Sequence, residues 1–175
     1  MQPEIHLVGL DPRHAEAMYQ WMCDPVVRDN VGVRSEPSLA RTRSWIEQAT
    51  QDATVAPFAI ELDGVHVGNV VLDRIDNHLA TCRLSIYVGE SSARGKGVGR
   101  VAVALAVQHA FGMLGLNKVW LTVHVHNAPA IAAYVAAGFA VEGILRDEFV
   151  LRGKRCAAFY MSVLKEEHAA GNQAA

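Results

Sequence analysis

The 175-residue chain predicts a mixed α/β (α+β) fold: a mostly antiparallel, twisted sheet of about seven strands flanked by about four helices. Three observations carry that expectation. Short β-rich runs come in a meander joined by Asp63-Gly64, a pair of residues that favours a two-residue hairpin turn. A glycine-rich loop, Arg94 to Arg100, follows one strand and opens a long apolar helix, so the next strand returns parallel. Strand-like and helix-like periods then alternate to the end in the order β-α-α-β-β-β-α-β-α-β-β.

The elements follow one by one. Ile5 to Val8 is a short strand. Asp11 then offers an N-cap and Pro12 a first helical position, and Ala15, Met18, Trp21 and Met22 give one apolar face. Asp24-Pro25 ends that helix, and residues 26–37 read as a long irregular stretch. A second helix runs near Leu39 to Ala49, with Leu39, Thr42, Trp45, Ile46 and Ala49 inward. Phe58 to Leu62 and Val65 to Leu72 flank the hairpin turn, and Leu84, Ile86 and Val88 alternate in a third meander strand. Val98 to Leu116 is apolar nearly all round, which predicts burial on more than one side. Lys118 to Val125 is a strand, and Ala128 to Ala137 a helix closed by Gly138. Strands near 139–151 and 156–164 turn at Arg152-Gly153-Lys154. Residues 1–165 read as one domain, and 166–175 as a polar, flexible tail.

Composition narrows the functional classes. The chain is 51% hydrophobic, which supports a packed core and excludes a disordered chain. Sixteen basic against eighteen acidic residues leave no broad basic field, so no nucleic-acid partner is expected. Cys23, Cys82 and Cys156 are odd in number and far apart, which suits a reducing, cytoplasmic setting rather than a disulfide framework or zinc ribbon. The N-terminal stretch carries Glu4 and His6 and makes a poor signal peptide. The longest mostly apolar stretch, 128–141, falls short of the roughly 20 residues a membrane helix needs, so no membrane partner is expected.

The segment Arg94-Gly95-Lys96-Gly97-Val98-Gly99-Arg100 points most directly to chemistry. Glycines let successive amides converge on one point where no Cβ intrudes, and a helix start adds free N–H donors and a positive dipole end. Three cations stand in the same segment, so the ligand is a phosphate. A Walker loop is excluded, because Lys96 is followed by Gly97 rather than Ser or Thr. A dinucleotide fingerprint begun at Gly95 would require glycine at position 100, which is Arg100.

Arg94-x-x-Gly97-x-Gly99 resembles the pyrophosphate loop of the GNAT acetyltransferases. Asn127-Ala-Pro-Ala-Ile131-Ala-Ala-Tyr134-Val-Ala-Ala-Gly138-Phe139 is similar to a second block of that family, at the family's spacing. Glu142-Gly143, Arg146-Asp147, Arg152-Gly153-Lys154 and Met161 resemble its ribosomal-protein and spermidine branch, and the 85–94 segment resembles a branch that includes amino-sugar enzymes.

The resemblance implies a GNAT-type sheet with acetyl-CoA in a V-shaped gap where the third and fourth sheet neighbours splay. It implies that Ile86, Tyr87 and Val88 hold the pantetheine arm by backbone groups, and that Arg94, Gly95, Lys96, Gly97, Val98, Gly99 and Arg100 hold the diphosphate. Asn127 would bond the arm or cap the following helix, and Tyr134 would protonate the departing thiolate. Some members carry a glutamate base where this chain has Thr122. By period-two alternation Thr122, His124 and His126 share a strand face, and His124, acting through a water, is the alternative base. His124-x-His126 lacks a third ligand at a convincing spacing, so no metal is expected. Glu36, Asp73, Asp76 and Glu90 are further polar candidates for the acceptor cleft, and Arg28, Asp29, Arg34 and Glu36 lie in the segment expected to cover it.

The acceptor ranking is a small-molecule amine or amino sugar, then a protein N-terminus, then a polyamine, for which a richer acidic funnel would be expected. A non-catalytic acyl-CoA-binding sensor is the alternative from another class, and Tyr134 argues against it. The apolar helix after residue 97 and the family's habit of assembly imply a homodimer.

Overall fold

A computed structural model describes residues 4–173, with side chains described through residue 169. Seven strands form one sheet in the order β1-β2-β3-β4-β5-β7-β6. These are β1 (Ile5–Gly9), β2 (Ala56–Leu62), β3 (Val65–Asp76), β4 (Thr81–Val88), β5 (Lys118–His124), β6 (Ala140–Leu151) and β7 (Lys154–Leu164). Every neighbouring pair is antiparallel except β4 and β5, which run parallel. The Asp63-Gly64 hairpin forms as read: both residues take positive φ, 51° and 79°, and Leu62 faces Val65 across the turn.

Six helices are described: α1 (Ala15–Cys23), α2 (Pro25–Val31), α3 (Leu39–Gln51), α4 (Val98–Gly112), α5 (Ala128–Ala136) and α6 (Lys165–Gln173). Two of them are absent from the sequence reading. Pro25 ends α1 but also starts α2, because Asp24 accepts from the Val26 amide and Pro25 needs no amide partner at the first helical position. Residues 26–31 are therefore helical rather than irregular. In the polar stretch read as a tail, residues 165–173 form α6; Glu166 and Glu167 occupy its first turn, and Glu167 accepts from the Leu164 amide. Residues 174 and 175 lie outside the described part.

The sheet buries both faces. On one side, α4 and α5 cover Val70, Leu72, Leu84, Val119, Leu121 and Met161. On the other, α1 to α3 bring Met18, Trp21, Val27 and Ile46 against Ala59 and Tyr87. Two expectations about packing change. Trp45 is 40% exposed and stands at a rim, while Ile46 and Ala49 make the inner face of α3. Helix α4 buries one broad stripe, Val98, Ala102, Val103, Ala106, Val107, Ala110 and Phe111, and leaves Val101 outside, so it is not enclosed all round. Cys82 is sealed in the core, and burial pushes its thiol up to about 12. No described helix is long and apolar enough to cross a membrane.

Candidate active site

Strands β4 and β5 pair at only three positions, Thr81 with Lys118, Cys82 with Val119 and Arg83 with Trp120. Beyond them both strands continue, to Val88 and His124, without facing each other as a ladder. The sheet is thus split, and the edge of β4 from Leu84 to Val88 presents backbone groups to a gap. The splay falls between the fourth and fifth strands of the sheet order, one place later than the sequence reading put it.

The glycine loop closes one end of this gap. Gly95 and Gly97 have φ of 73° and 80°, a region that side chains disfavour, and a Cβ at either would meet no heavy atom within 4 Å. Gly97 is the N-cap of α4 and supplies no side-chain cap, which leaves the first amides of a 15-residue helix to an outside acceptor. Lys96 and Arg100 are exposed and make no ion pair with a described residue. Arg94 is different: its Nε donates to the Val88 carbonyl at 3.1 Å, and its second terminal nitrogen donates to Gly89 O at 2.7 Å and lies 3.6 Å from Asp24.

Tyr134 and His124 occupy opposite faces. Tyr134, 7% exposed, joins the core under α4 and α5. Burial pushes its hydroxyl up to about 12, so it stays protonated at neutral pH. That hydroxyl has no hydrogen-bond partner among the described residues, yet it is not a sealed atom. Its place is set by the end of α5, where Gly138 takes φ 93°, the Gly138 amide donates to Val135 O and the Phe139 amide to Tyr134 O.

On β5, Val119, Leu121 and Val123 face α4, so Trp120, Thr122 and His124 face the side of α1 to α3. His124 is 8% exposed, its Nδ1 lies 3.3 Å from Cys156 Sγ, and its ring is 4.2 Å from that of Phe149. Burial, helped by the charge of His126, lowers its pKa and favours the neutral imidazole. His126 falls in the turn after β5 and does not share the strand face the alternation predicted. Cys156 was missed as a partner of His124, because a contact across 32 residues depends on the β5–β7 register.

The other candidates hold structure. Tyr87 turns its side chain away from the α4 face and donates to Asn69, which donates to Phe58 O; its carbonyl lies against Gly68 of β3, so the backbone groups that face the gap are those of Ile86 and Val88 rather than Tyr87. Asn127 accepts from the Ala130 amide and caps α5. Asp73 forms a two-point ion pair with Arg83, at 2.8 and 2.6 Å. Asp76 binds the amides of His78 and Leu79, and Glu90 binds that of Ser92. The backbone carbonyl of Glu36 accepts from Arg41, and its side chain makes no ion pair with a described residue. Helix α2 is tied at both ends, Asp24 to Arg94 and Asp29 to Arg152 at 3.6 Å each, so it runs from the end of β4 to the β6–β7 turn. Arg28 and Arg34 make no ion pair with a described residue.

Comparison with known proteins agrees with this geometry. Residues 4–140 match the family model of the acetyltransferase (GNAT) domain. The spermidine N(1)-acetyltransferase of Escherichia coli K12 is 32% identical over 119 residues, 68% of this chain and 63% of that protein's length. The L-amino acid N-acetyltransferase AaaT of the same strain is 26% identical over 166 residues, 93% of this chain and 99% of that one. Among solved structures, spermidine N-acetyltransferase from Vibrio cholerae in complex with CoA and spermine superposes with a TM-score of 0.88 at 22% identity, covering 94% of this chain and 98% of that one. The chain belongs to the GNAT acetyltransferase family, and its fold is the GNAT fold.

Proposed function

We propose that the protein is an acetyl-CoA-dependent N-acetyltransferase acting on a primary amine, and that the amine is a polyamine of the spermidine class. The observation that carries the transfer is the split between β4 and β5, with the bare α4 N-terminus at its mouth and the Tyr134 hydroxyl without a hydrogen-bond partner among the described residues. These residues fit the cofactor. The unpaired edge of β4 offers backbone groups to an amide-bearing arm, and Gly95 and Gly97 leave room for a diphosphate. Residues 1–165 act as one unit in this reading.

Bound there, acetyl-CoA supplies the acetyl thioester. The amine nitrogen bonds to the carbonyl carbon, and the carbon–sulfur bond breaks. Tyr134 carries a proton at its hydroxyl and delivers it to the departing sulfur. His124, held neutral by burial, takes the surplus amine proton through a water and releases it to solvent, from which the Tyr134 hydroxyl regains its own. The two groups act from opposite faces of the sheet, the one towards α4 and α5, the other towards α1 to α3.

The choice of a polyamine over an amino sugar rests on the relatives, whose names specify spermidine. One feature of the chain favours a second reading. Arg28 and Arg34 are cations without an ion pair among the described residues, in the segment expected to cover the acceptor, and they suit an amine bearing a carboxylate, as in the relative AaaT. Thiol release from acetyl-CoA separates the two. Spermidine turned over with a kcat/KM at least tenfold above every L-amino acid and amino sugar supports the polyamine. Preference for an L-amino acid overturns it, and binding without turnover across the panel favours the sensor.

A further inference from the structure

We propose that Arg94 is a positioning residue for the acyl-CoA arm rather than a ligand of the diphosphate, whose charge falls to the loop amides, Lys96 and Arg100. The inference rests on the transferase reading above. All three cations stand in one seven-residue segment, yet the structure divides them. The Arg94 guanidinium commits two of its three nitrogens to protein: Nε to the Val88 carbonyl at 3.1 Å and one terminal nitrogen to the Gly89 carbonyl at 2.7 Å, with Asp24 at 3.6 Å beyond. Lys96 and Arg100 have no such partner among the described residues.

The Val88 carbonyl is the last of β4, and the Gly89 carbonyl follows it just past the end of the strand. By occupying them, Arg94 ends the free edge of β4 at a fixed place, and so fixes how far a strand-like ligand can run along it. The same guanidinium reaches the corner between α1 and α2, since Asp24 is both the C-cap of α1 and the N-cap of α2. Packing reinforces the corner. Gly89 is buried against Trp21 so closely that a Cβ there would fall 2.1 Å from the indole. Arg94 therefore joins the strand that would hold the arm to the helices that would cover the acceptor. A lysine cannot replace it, because one ammonium point charge does not reproduce a planar fork aimed at two successive carbonyls.

The test compares acetyl-CoA with S-acetyl-pantetheine, which keeps the thioester arm and lacks the diphosphate. Arg94→Ala and Arg94→Lys should each lower kcat/KM by about tenfold for both substrates, by the same factor. Lys96→Ala and Arg100→Ala should lower it for acetyl-CoA and leave S-acetyl-pantetheine unchanged. Asp24→Asn, a gentler break of the same link, should weaken both substrates together, by less. Thermal melting identifies any variant that has lost its fold, and the Asp24→Asn arm then carries the comparison. A loss in Arg94→Ala confined to acetyl-CoA would make Arg94 a diphosphate ligand and overturn the proposal. Wild-type protein inactive with both substrates would instead refute the transferase reading.

Discussion

Phe139 holds Tyr134 at two points: its amide donates to the Tyr134 carbonyl at 3.0 Å, and its ring lies 5.8 Å from the phenol ring. The backbone bond exists because Gly138 turns left-handed after α5, and the ring contact follows from it. The phenol is thus seated by backbone and by packing, while its hydroxyl has no hydrogen-bond partner among the described residues. Tyr134→Phe keeps both anchors and removes one oxygen. We expect kcat to fall about 10²-fold with little change in acetyl-CoA affinity. The defect should shrink as pH rises towards about 8.5, where a thiolate leaves unaided. Wild-type turnover at pH 7, with chemistry rate-limiting, would remove the acid role.

His124 predicts the acid limb of the pH profile. A base must be neutral to accept a proton, and burial, then His126, lowers the His124 pKa below its ordinary 6.5. The limb of kcat/KM should therefore lie below about 6.5. His126→Ala removes the like charge and should move the limb upward, while His124→Gln should abolish it. Stopped-flow or steady-state thiol release across pH 4–8 reads all three, and an unchanged limb in His124→Gln assigns the base elsewhere.

Gly97 tests the loop. A side chain there meets no protein atom, so its steric effect falls on the ligand, but φ of 80° strains any L residue by about 1 kcal/mol. Gly97→Val should weaken acetyl-CoA at least tenfold in calorimetry with only a small drop in Tm. Unchanged affinity in a folded variant would place the diphosphate elsewhere.

His66 predicts how stability depends on pH. Its ring packs edge-on against His14 and Trp21, at 4.6 and 4.7 Å, and both its nitrogens are buried without a geometrically sound hydrogen bond. Burial lowers its pKa to about 4. Between that value and the unfolded value of about 6.5 the unfolded chain binds the extra proton. Stability therefore rises with pH across this window, and is lost as pH falls through it. Denaturant melts from pH 4 to 7 should show the slope, and His66→Leu should flatten it; an equal slope in the variant refutes the assignment.

Much of this was legible because local chemistry dictated it. Asp63-Gly64 demanded a hairpin, Gly138 a helix end, and the loop glycines an open turn before α4, all within a few residues. What was missed depends on where side chains point, which only the folded chain fixes. Arg94 looked like its neighbours Lys96 and Arg100, and only the fold brings Val88, Gly89 and Asp24 to it. Asp73, Asp76 and Glu90 looked free for an acceptor until Arg83 and nearby amides took them. Helix α2 was overlooked because Asp24-Pro25 reads equally well as a stop and as a start. Nothing local distinguishes a polyamine from another amine, so the ranking by charge put the amino sugar first, and the relatives favour the polyamine.

The proposed mechanism requires acyl-CoA in the split between β4 and β5 with its sulfur at Tyr134. A crystal structure with CoA tests it most directly. The expected result is the pantetheine arm along Leu84 to Val88, the diphosphate on the amides of residues 95–100, and the sulfur within about 3.5 Å of the Tyr134 hydroxyl. CoA bound outside the split, or in it with the sulfur out of hydrogen-bond reach of Tyr134, would contradict it.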